Sequence, residues 1–480
     1  MLYYSEGSGG YFMLFNSYIF IFIFLPLVLA GWYFLNSRGF YQTATCFLAA
    51  MSLWFYGYFN LYYLGIILVS ILGNYLLSFL LRFSRTKLSD RIFLLAGLAF
   101  NLGFLFYFKY YDFFFENINI VFHTNVAMHN ILLPLGISFF TFQQVSFIVD
   151  RCQHKAEHYP FIDYVTFVTF FPQLVAGPIV LYKEMMPQFA DKHLRSFNRE
   201  NFAKGIALFT LGLSKKVLLA DVLALPVNYG FTNTAFLDSP STLLVILAYT
   251  FEIYFDFSGY SDMAMGLGLL FNIKLPVNFN SPYKACTVKE LWQRWHITLS
   301  RFFIQYVYIP LGGSRKGKVR TLINTFLVFF LSGLWHGANW TFICWGLLYF
   351  VLLMFEKLTG FHKKNGWYMH IYTMFFVILG WVLFRADSIT AAGQYIGNMF
   401  GAGATGFIDA TFIDCVKNSA VIFAAAVIFS FPVVSKVGEV LEKKPMFKNV
   451  LASVCMVVVF IASILICIKA TYNPFIYLNF

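Results

Sequence analysis

Apolar runs long enough to form membrane-spanning helices follow one another along almost the whole chain. Only 12% of the 480 residues are Asp, Glu, Lys or Arg, whereas soluble proteins average about 25%. A chain with so few charged side chains cannot cover its folded surface with groups that water solvates well. The sequence therefore predicts an all-α polytopic integral membrane protein with about 10 to 12 transmembrane helices, together with re-entrant or interfacial helices.

Basic residues concentrate in every second segment between the apolar runs, and this predicts an orientation. With the N-terminus outside, the inner segments include 82–91, 183–204, 274–320 and 436–448, which carry most of the Lys and Arg. The outer segment 226–239 has neither. Cytoplasmic loops are enriched in Lys and Arg, and this enrichment explains the net charge of +12. We therefore predict that the protein has no nucleic-acid partner.

The N-terminus and the cysteines suggest no further chemistry. Residues 1–12 are polar and glycine-rich, and we interpret them as an extension before an opening at Met13. The seven Cys are scattered and odd in number, with no Cys-x-x-Cys pair. We therefore predict neither a disulfide framework nor a metal site.

One apolar stretch, 160–180, is expected to enter and leave the membrane on the same side. It contains Phe170 to Pro178, in which two prolines and a glycine interrupt regular helical hydrogen bonding. Irregular backbone at membrane depth is stable only where it is buried in protein or lines a cavity. We predict a re-entrant element here and a similar one at Tyr306 to Gly313.

His336 is the first of three places where polar residues interrupt apolar sequence. It ends one apolar run and stands between Trp335 and Gly337, with Asn339 close behind. A neutral imidazole can take a proton from a hydroxyl group near neutral pH, and glycine lets a substrate approach closely. A structural histidine between helices is the alternative. Because ionisable residues are costly in a membrane, we hypothesise a catalytic role.

The second place is the segment Glu290 to Arg301, which we predict to form an amphipathic helix on the cytoplasmic side. Such a helix can anchor a protein at lipid headgroups, or its arginines can bind phosphates while its tryptophans contact a base. The glycine-rich loop that follows adds Arg315 and Lys316 but has no Walker pattern, so nucleotide hydrolysis is not indicated. The side chains of interest are Trp292, Arg294, Trp295, His296 and Arg301.

The third place contains Glu252, Asp256 and Asp262, with Ser258 among them, in an apolar stretch. Such groups often join helices by pairing with nearby cations. They also mark ion pathways, so a polytopic transporter or exporter without acyl chemistry is an alternative from another functional class. A transporter does not explain two Trp-His pairs, at 295–296 and 335–336, which the predicted topology places on opposite sides.

These segments, in this order, resemble the membrane-bound O-acyltransferase family. The resemblance is strongest to its bacterial branch, which serves the O-acetylation of alginate, peptidoglycan and cellulose. The matching segments are the opening at Met13, Phe170 to Pro178, Tyr254 to Asp262, Leu291 to Gly313 and Leu334 to Trp340. The resemblance implies a catalytic membrane core at 13–385, and 386–480 is expected to add C-terminal transmembrane helices.

The resemblance also implies a fold and a site. The fold would be a ring of tilted helices around a thinned centre, in the inner membrane of a bacterium. His336 would be the active-site histidine and His296 the second histidine. Acetyl-CoA would be the donor, bound from the cytoplasm with its phosphates near Arg294, Arg301, Arg315 and Lys316. Further residues expected to bind substrate are Trp335, Asn339, Trp292, Trp295, Asp256 and Ser258.

The acceptor is expected to lie outside the cytoplasmic membrane. Relatives in this branch work with a separate extracytoplasmic protein that acetylates a polysaccharide, so we expect such a partner and acceptor, with membrane lipids around the chain. Another relative transfers D-alanine from a carrier protein to teichoic acid, which is the alternative reaction. The residues leave open the polymer, the acyl group, and whether a histidine forms a covalent intermediate.

Overall fold

The computed structural model describes residues 13–155, 157, 159–361, 366–402, 410–433, 436–437, 439, 445–469 and 474–476. The extension predicted at 1–12 lies outside these residues. Every regular element in the described part of the chain is a helix. This confirms the prediction of an all-α polytopic membrane protein.

Nine helices in the described ranges are long and apolar enough to cross a membrane. Shorter helices lie in further apolar runs of the sequence, among them Tyr41–Gly57 and Ile137–Cys152. The nine candidate spans are Ile19–Ser37, Leu61–Phe83, Lys87–Phe122, Ser239–Leu270, Lys318–His336, Trp340–Thr359, Trp367–Arg385, Phe412–Phe429 and Asn449–Ile468.

The chain divides into two compact units, and the boundary predicted at Arg385 stays a prediction. The N-terminal unit comprises the described residues of Leu2–Phe209 and Met263–Pro276, and the C-terminal unit comprises those of Thr210–Asp262 and Val277–Phe480. Beyond the spans named above, the helices of the N-terminal unit are Phe161–Thr169, Phe171–Leu174, Tyr182–Ala190, Lys192–Arg195 and the first part of Arg199–Ser214.

Buried amides join helices within the N-terminal unit. Asn74 and Asn101 each donate to the other's side-chain oxygen, at 3.0 and 2.6 Å. Gln144 donates to Ser70 at 2.8 Å and accepts from the Tyr164 hydroxyl at 2.9 Å. These reciprocal bonds satisfy polar groups that apolar surroundings cannot solvate.

The stretch 160–180 is broken as predicted. Phe170 separates two helices with φ −47° and ψ 106°, and residues 164–182 are buried in protein. Gly136 packs against this break at φ +70°, where an added Cβ would lie 2.8 Å from the carbonyl oxygen of Leu174. The irregular backbone is therefore buried where glycine permits close approach, while its re-entrance into a membrane stays a prediction.

In the C-terminal unit, two of the long helices pack closely through glycine. An added Cβ at Gly333 or at Gly346 would clash with a carbonyl oxygen of the facing helix. This close packing places the end of Lys318–His336 against Trp340–Thr359. The other helices of this unit are Lys215–Ala220, Asp221–Thr232, Thr234–Phe236, Pro282–Lys284, Val288–Arg294, Ile297–Phe303, Ile304–Tyr308, Ile389–Met399, Ala410–Phe429 and Pro445–Lys469.

The predicted amphipathic helix from Glu290 to Arg301 is wrong. Two short helices, Val288–Arg294 and Ile297–Phe303, are separated by a turn in which His296 takes left-handed backbone angles, φ 44° and ψ 53°. Backbone bonds hold this turn to an earlier loop: Asn280 N donates to Arg294 O at 2.9 Å, and Ile297 N donates to Asn278 O at 3.0 Å. These partners, distant in sequence, break the helix and bury His296 completely.

Candidate active site

His336 ends its helix in a buried position with a defined tautomer. Its Nδ1 lies 2.7 Å from the carbonyl oxygen of Ser332, one turn earlier. A carbonyl oxygen only accepts hydrogen bonds, so Nδ1 carries the hydrogen. In the neutral imidazole, Nε2 therefore holds the lone pair and can accept a proton.

His296 has the same tautomer for a different reason. Its Nδ1 lies 3.1 Å from Asn278 Oδ1, which also accepts from the backbone N–H of Thr298 at 3.2 Å and from its hydroxyl at 2.9 Å. The backbone donor identifies this Asn278 atom as oxygen, so His296 Nδ1 donates and Nε2 is the acceptor. Burial, and secondarily His336, lower the pKa of His296 well below its usual range, so this imidazole is neutral near pH 7.

The two imidazoles belong to one site. Their ring centroids are 6.5 Å apart and their planes lie at 81°. The indole of Trp335 contacts both, at 5.8 Å from His296 and 4.9 Å from His336. The prediction that the two Trp-His pairs lie on opposite sides is therefore wrong, because the turn at His296 folds inward to the end of the helix that carries His336.

An aromatic wall surrounds the two histidines. Trp345 and Phe384 lie 4.8 and 5.4 Å from His336, and Phe257 lies 4.8 Å from His296. The Nε1 atom of Trp345 is buried without a hydrogen-bond partner among the described residues. Trp345 thus brings an available N–H donor close to His336, and the sequence analysis missed it.

Trp292 and Trp295, predicted to contact a base, are part of the same aromatic packing. Trp292 meets Trp345 and Tyr349 edge to face at 5.6 and 4.9 Å. Trp295 is buried and packs 4.8 Å from Trp381. Both tryptophans therefore shape the surroundings of the histidines, and a direct role in substrate binding stays a prediction.

The predicted phosphate-binding cations occupy different settings. Arg294 Nε pairs with Glu290 at 2.8 Å, and its Nη1 donates to Asn280 O at 3.1 Å. Arg301 is partly buried on the short helix after His296, whereas Arg315 and Lys316 are exposed in the turn before Lys318. The charge of Arg294 is thus already compensated within the fold.

Asp256 is held in a buried ion pair, while Ser258 has a buried hydroxyl. Asp256 Oδ1 lies 2.7 Å from Lys216 Nζ, and its Oδ2 accepts from Ile476 N at 2.8 Å. Ser258 Oγ is buried without a hydrogen-bond partner among the described residues. Asp256 therefore pairs with a cation of another helix, which is one of the alternatives that the sequence predicted for it.

Asn339 and Gly337 have structural contacts. Asn339 caps the helix Trp340–Thr359 by accepting from Thr341 N at 3.1 Å, and its Nδ2 donates to Asp387 O at 2.9 Å. At Gly337, the ring of Phe342 fills the space that a Cβ would occupy. The glycine therefore admits an aromatic ring of the protein where we expected a substrate.

Two further residues missed by the sequence analysis position His296. Asn278, described above, binds its ring from a loop eighteen residues earlier. Glu356 is buried and accepts from the backbone N–H groups of Val288 at 2.6 Å and Lys289 at 3.2 Å, at the start of the helix before His296. Carboxylates stabilise helix N-termini in this way, but nothing local to either residue signals the contact.

The described residues contain no group of three or more His, Cys, Asp or Glu side chains arranged to hold a metal ion.

Comparison with known proteins relates this site to a family. The sequence profile of the membrane-bound O-acyltransferase family matches residues 80–391, which include both histidines. The chain belongs to this family. It is therefore an O-acyltransferase and a multi-pass membrane protein, as predicted, and the transporter alternative is set aside.

Curated relatives agree with this assignment. The chain is 40% identical over 427 residues to a peptidoglycan O-acetyltransferase of Helicobacter pylori, covering 81% of this chain and 80% of the relative. It is 37% identical over 409 residues to a probable alginate O-acetylase of Pseudomonas aeruginosa, covering 82% and 75%. A teichoic acid D-alanyltransferase of Bacillus subtilis is 30% identical over 259 residues, covering 50% and 63%.

Replacing Asn278 with alanine is expected to reduce both stability and turnover. The change leaves three buried donors of His296 and Thr298 without their acceptor, at a cost of about 1–3 kcal/mol for each donor that finds no other partner. We expect turnover to fall by about tenfold or more as His296 loses its orientation. Thermal unfolding and turnover of the purified protein measure the two effects.

Two variants test whether Asn278 acts by positioning His296. In Asn278→Asp a carboxylate keeps the acceptor atoms but adds a buried charge, so the variant should be less stable than wild type. Because this carboxylate favours the protonated form of His296, the pH profile of turnover should shift toward higher pH. Asn280→Ala is the matched control, because Asn280 bonds to Arg294 through its backbone. An unchanged pH profile in Asn278→Asp would contradict the positioning role.

Proposed function

We propose that this O-acyltransferase moves an acetyl group from cytoplasmic acetyl-CoA to a hydroxyl group of a cell-envelope polysaccharide outside the cytoplasmic membrane. The observation that carries the proposal is the buried pair His336 and His296, each with Nδ1 as donor and Nε2 as acceptor. Similarity over about four fifths of the chain to relatives named for peptidoglycan and alginate O-acetylation supports acetyl as the acyl group.

In the proposed mechanism, His336 is the general base. Its Nε2 takes the proton of the acceptor hydroxyl as the oxygen attacks the thioester carbonyl carbon. A C–O bond forms and the carbonyl oxygen becomes an oxyanion; its collapse breaks the C–S bond. The CoA thiolate leaves and receives the proton that His336 carries, so the base is restored. General-base assistance of this kind is worth about 100- to 10,000-fold.

The neighbours of His336 have complementary roles in this proposal. The indole N–H group of Trp345 is a donor for the developing oxyanion, which buried dipoles stabilise strongly, and the Trp335 ring shapes the pocket beside both imidazoles. His296, neutral and with Nδ1 already donating to Asn278, offers only an acceptor at Nε2. It can therefore bind a hydroxyl of the acceptor but cannot donate to the oxyanion.

We also propose a route by which the acyl group reaches the polysaccharide. A separate extracytoplasmic protein takes part in placing the acetyl group on the polysaccharide, which is peptidoglycan or an alginate-like or cellulose polymer. D-alanyl transfer to teichoic acid is the second candidate. It is favoured by the 30% identity to the Bacillus subtilis D-alanyltransferase, which covers only half of this chain.

Donor specificity tests the proposal directly. The purified protein in nanodiscs is incubated either with acetyl-CoA carrying a radiolabelled acetyl group or with a D-alanyl carrier protein, and peptidoglycan fragments or alginate oligomers are added as acceptors. We expect CoA release and alkali-labile label on an acceptor with acetyl-CoA. Turnover of the D-alanyl carrier but not of acetyl-CoA, by a sample that remains folded, would reject acetyl transfer.

A further inference from the structure

A cavity lies in the N-terminal unit, lined by residues that have no role in the proposed chemistry. It has a volume of about 420 Å³ and lies between the end of the helix Leu25–Ser37, the start of Tyr41–Gly57 and the turn at 192–197. Asn272 holds that turn by donating to the carbonyl oxygens of Leu194 at 2.9 Å and Ser196 at 2.6 Å. The cavity wall is thus fixed by hydrogen bonds.

A buried guanidinium lines this cavity. Arg195 is 8% exposed, and it donates to the carbonyl oxygens of Phe189 and Tyr41 and to the hydroxyl of Thr45. Its remaining close neighbours are the rings of Trp32 and Tyr41, at 5.4 and 5.9 Å. These partners are all neutral, so they orient the cation without cancelling its charge.

Carboxylates do not neutralise Arg195. Burial lowers its pKa and the through-space effect of Asp163 opposes that shift, but no ion pair within 4 Å joins Arg195 to an acid in the described part of the chain. Lys192 adds a second cation to the same cavity, with Nζ 5.3 Å from the ring of Tyr41. A buried charge of this kind favours an anionic ligand.

Asn36 adds an acceptor to the cavity. It is 7% exposed and its Nδ2 donates to Trp32 O at 2.8 Å, which orients the amide. Its Oδ1 is buried without a hydrogen-bond partner among the described residues. A phosphate ester that also carries a hydroxyl or ammonium group would satisfy both the cations and this oxygen.

The position of the cavity points to a membrane ligand. It lies at the end of the candidate span Ile19–Ser37, beside a segment rich in Lys and Arg that is predicted to face the cytoplasm. Phe34 and Phe197, which line the cavity, are 59% and 53% exposed. Cations beside exposed aromatic rings at a span's end match the depth of lipid headgroups.

We propose that this cavity binds the headgroup of an inner-leaflet phospholipid whose phosphate carries a hydroxyl or ammonium substituent. The phosphate lies against Arg195 and Lys192, and the substituent donates to Asn36 Oδ1. The acyl chains extend past Phe34 and Phe197 into the bilayer. This site is independent of the acetyl donor, so it does not rest on the proposed function.

Lipid retention tests the proposal on the full chain in detergent. Native mass spectrometry would titrate dioleoylphosphatidylglycerol into wild type, Lys192→Ala and Arg38→Ala. Arg38 is the matched control, because it is exposed near the end of the same span but does not line the cavity. We expect Lys192→Ala to bind the lipid about tenfold more weakly, with Arg38→Ala unchanged. Equal affinity in all three proteins, or equal weakening in both variants, would overturn the site.

Four competitors distinguish the source of the phosphate. Dioleoylglycerol lacks the phosphate and dioleoylphosphatidylcholine lacks the donor, so both should bind more weakly than phosphatidylglycerol, and Asn36→Leu should remove the preference over phosphatidylcholine. Inorganic phosphate and acetyl-CoA should not displace the lipid at equal concentration. Displacement by either of them, or equal binding of dioleoylglycerol, would show that the ligand is not a phospholipid headgroup.

Discussion

Replacing His336 with glutamine is expected to reduce acyl transfer by about 100- to 10,000-fold while the protein stays folded. Glutamine occupies a similar space but has no basic nitrogen to accept a proton. CoA release and acceptor labelling, measured on purified protein, give the size of the loss. Thermal unfolding of the same sample establishes that the variant retains its structure.

His370 provides a matched control for this experiment. It is also on a long helix, and its Nδ1 also lies within hydrogen-bond distance of a carbonyl oxygen, that of Ala285 at 3.1 Å. No contact joins its ring to His336 or His296. His370→Gln should therefore keep nearly full turnover. If His336→Gln and His370→Gln lost activity equally, the assignment of His336 as the general base would be wrong.

Replacing Lys216 with methionine is expected to have the largest effect on stability. Its ammonium group lies 2.7 Å from both Asp221 and Asp256, and the side chains of Lys216 and Asp256 are 1% and 2% exposed. Removing the cation leaves Asp256 buried with an uncompensated charge. The expected cost is about 3–5 kcal/mol in the free energy of unfolding. Denaturant unfolding of the protein in detergent measures it.

Two further variants identify the buried charge as the cause. The double variant with Lys216→Met and Asp256→Leu removes the buried pair and leaves only Asp221, which is 14% exposed, without its cation, so it should recover part of the lost stability. Lys204→Met removes a cation from an exposed pair with Glu200 and should change stability by less than about 1 kcal/mol. A double variant no more stable than Lys216→Met would contradict the ion-pair explanation.

The same cluster holds Phe475 and Ile476. Asp256 accepts from Ile476 N, and the ring of Phe475 lies 4.7 Å from Lys216 Nζ and 4.8 Å from the ring of Tyr260. The segment Tyr254 to Asp262, which resembles a family motif, therefore binds the C-terminal residues on one side and presents Phe257 to His296 on the other.

Much of the fold class was readable in the sequence because the bilayer imposes it residue by residue. Apolar runs predict spans wherever they occur, since each span satisfies its own backbone hydrogen bonds. The broken stretch around Phe170 was predicted for the same local reason, since proline and glycine end helices wherever they stand. His336 was singled out because an ionisable residue among apolar neighbours is costly unless it has a role.

The geometry of the site was decided by contacts between distant segments. The pattern from Glu290 to Arg301 has the periodicity of an amphipathic helix, but the loop at Asn278 and Asn280 supplies hydrogen bonds that favour a turn at His296. The same turn brings His296 to within 6.5 Å of His336, although the topology predicted opposite sides. Local periodicity carries no information about which remote carbonyl or amide will meet a given backbone group.

The sequence by itself determined that this protein is a helical membrane protein of the O-acyltransferase family, with His336 and His296 as its notable histidines. Only the tertiary structure decided that the two imidazoles share one buried site, which nitrogen of each carries the hydrogen, and that Trp345 lies beside them. It also decided that Lys216 is the partner of Asp256. In a buried, weakly screening interior each polar group must find a partner, and which partner it finds depends on how remote segments pack.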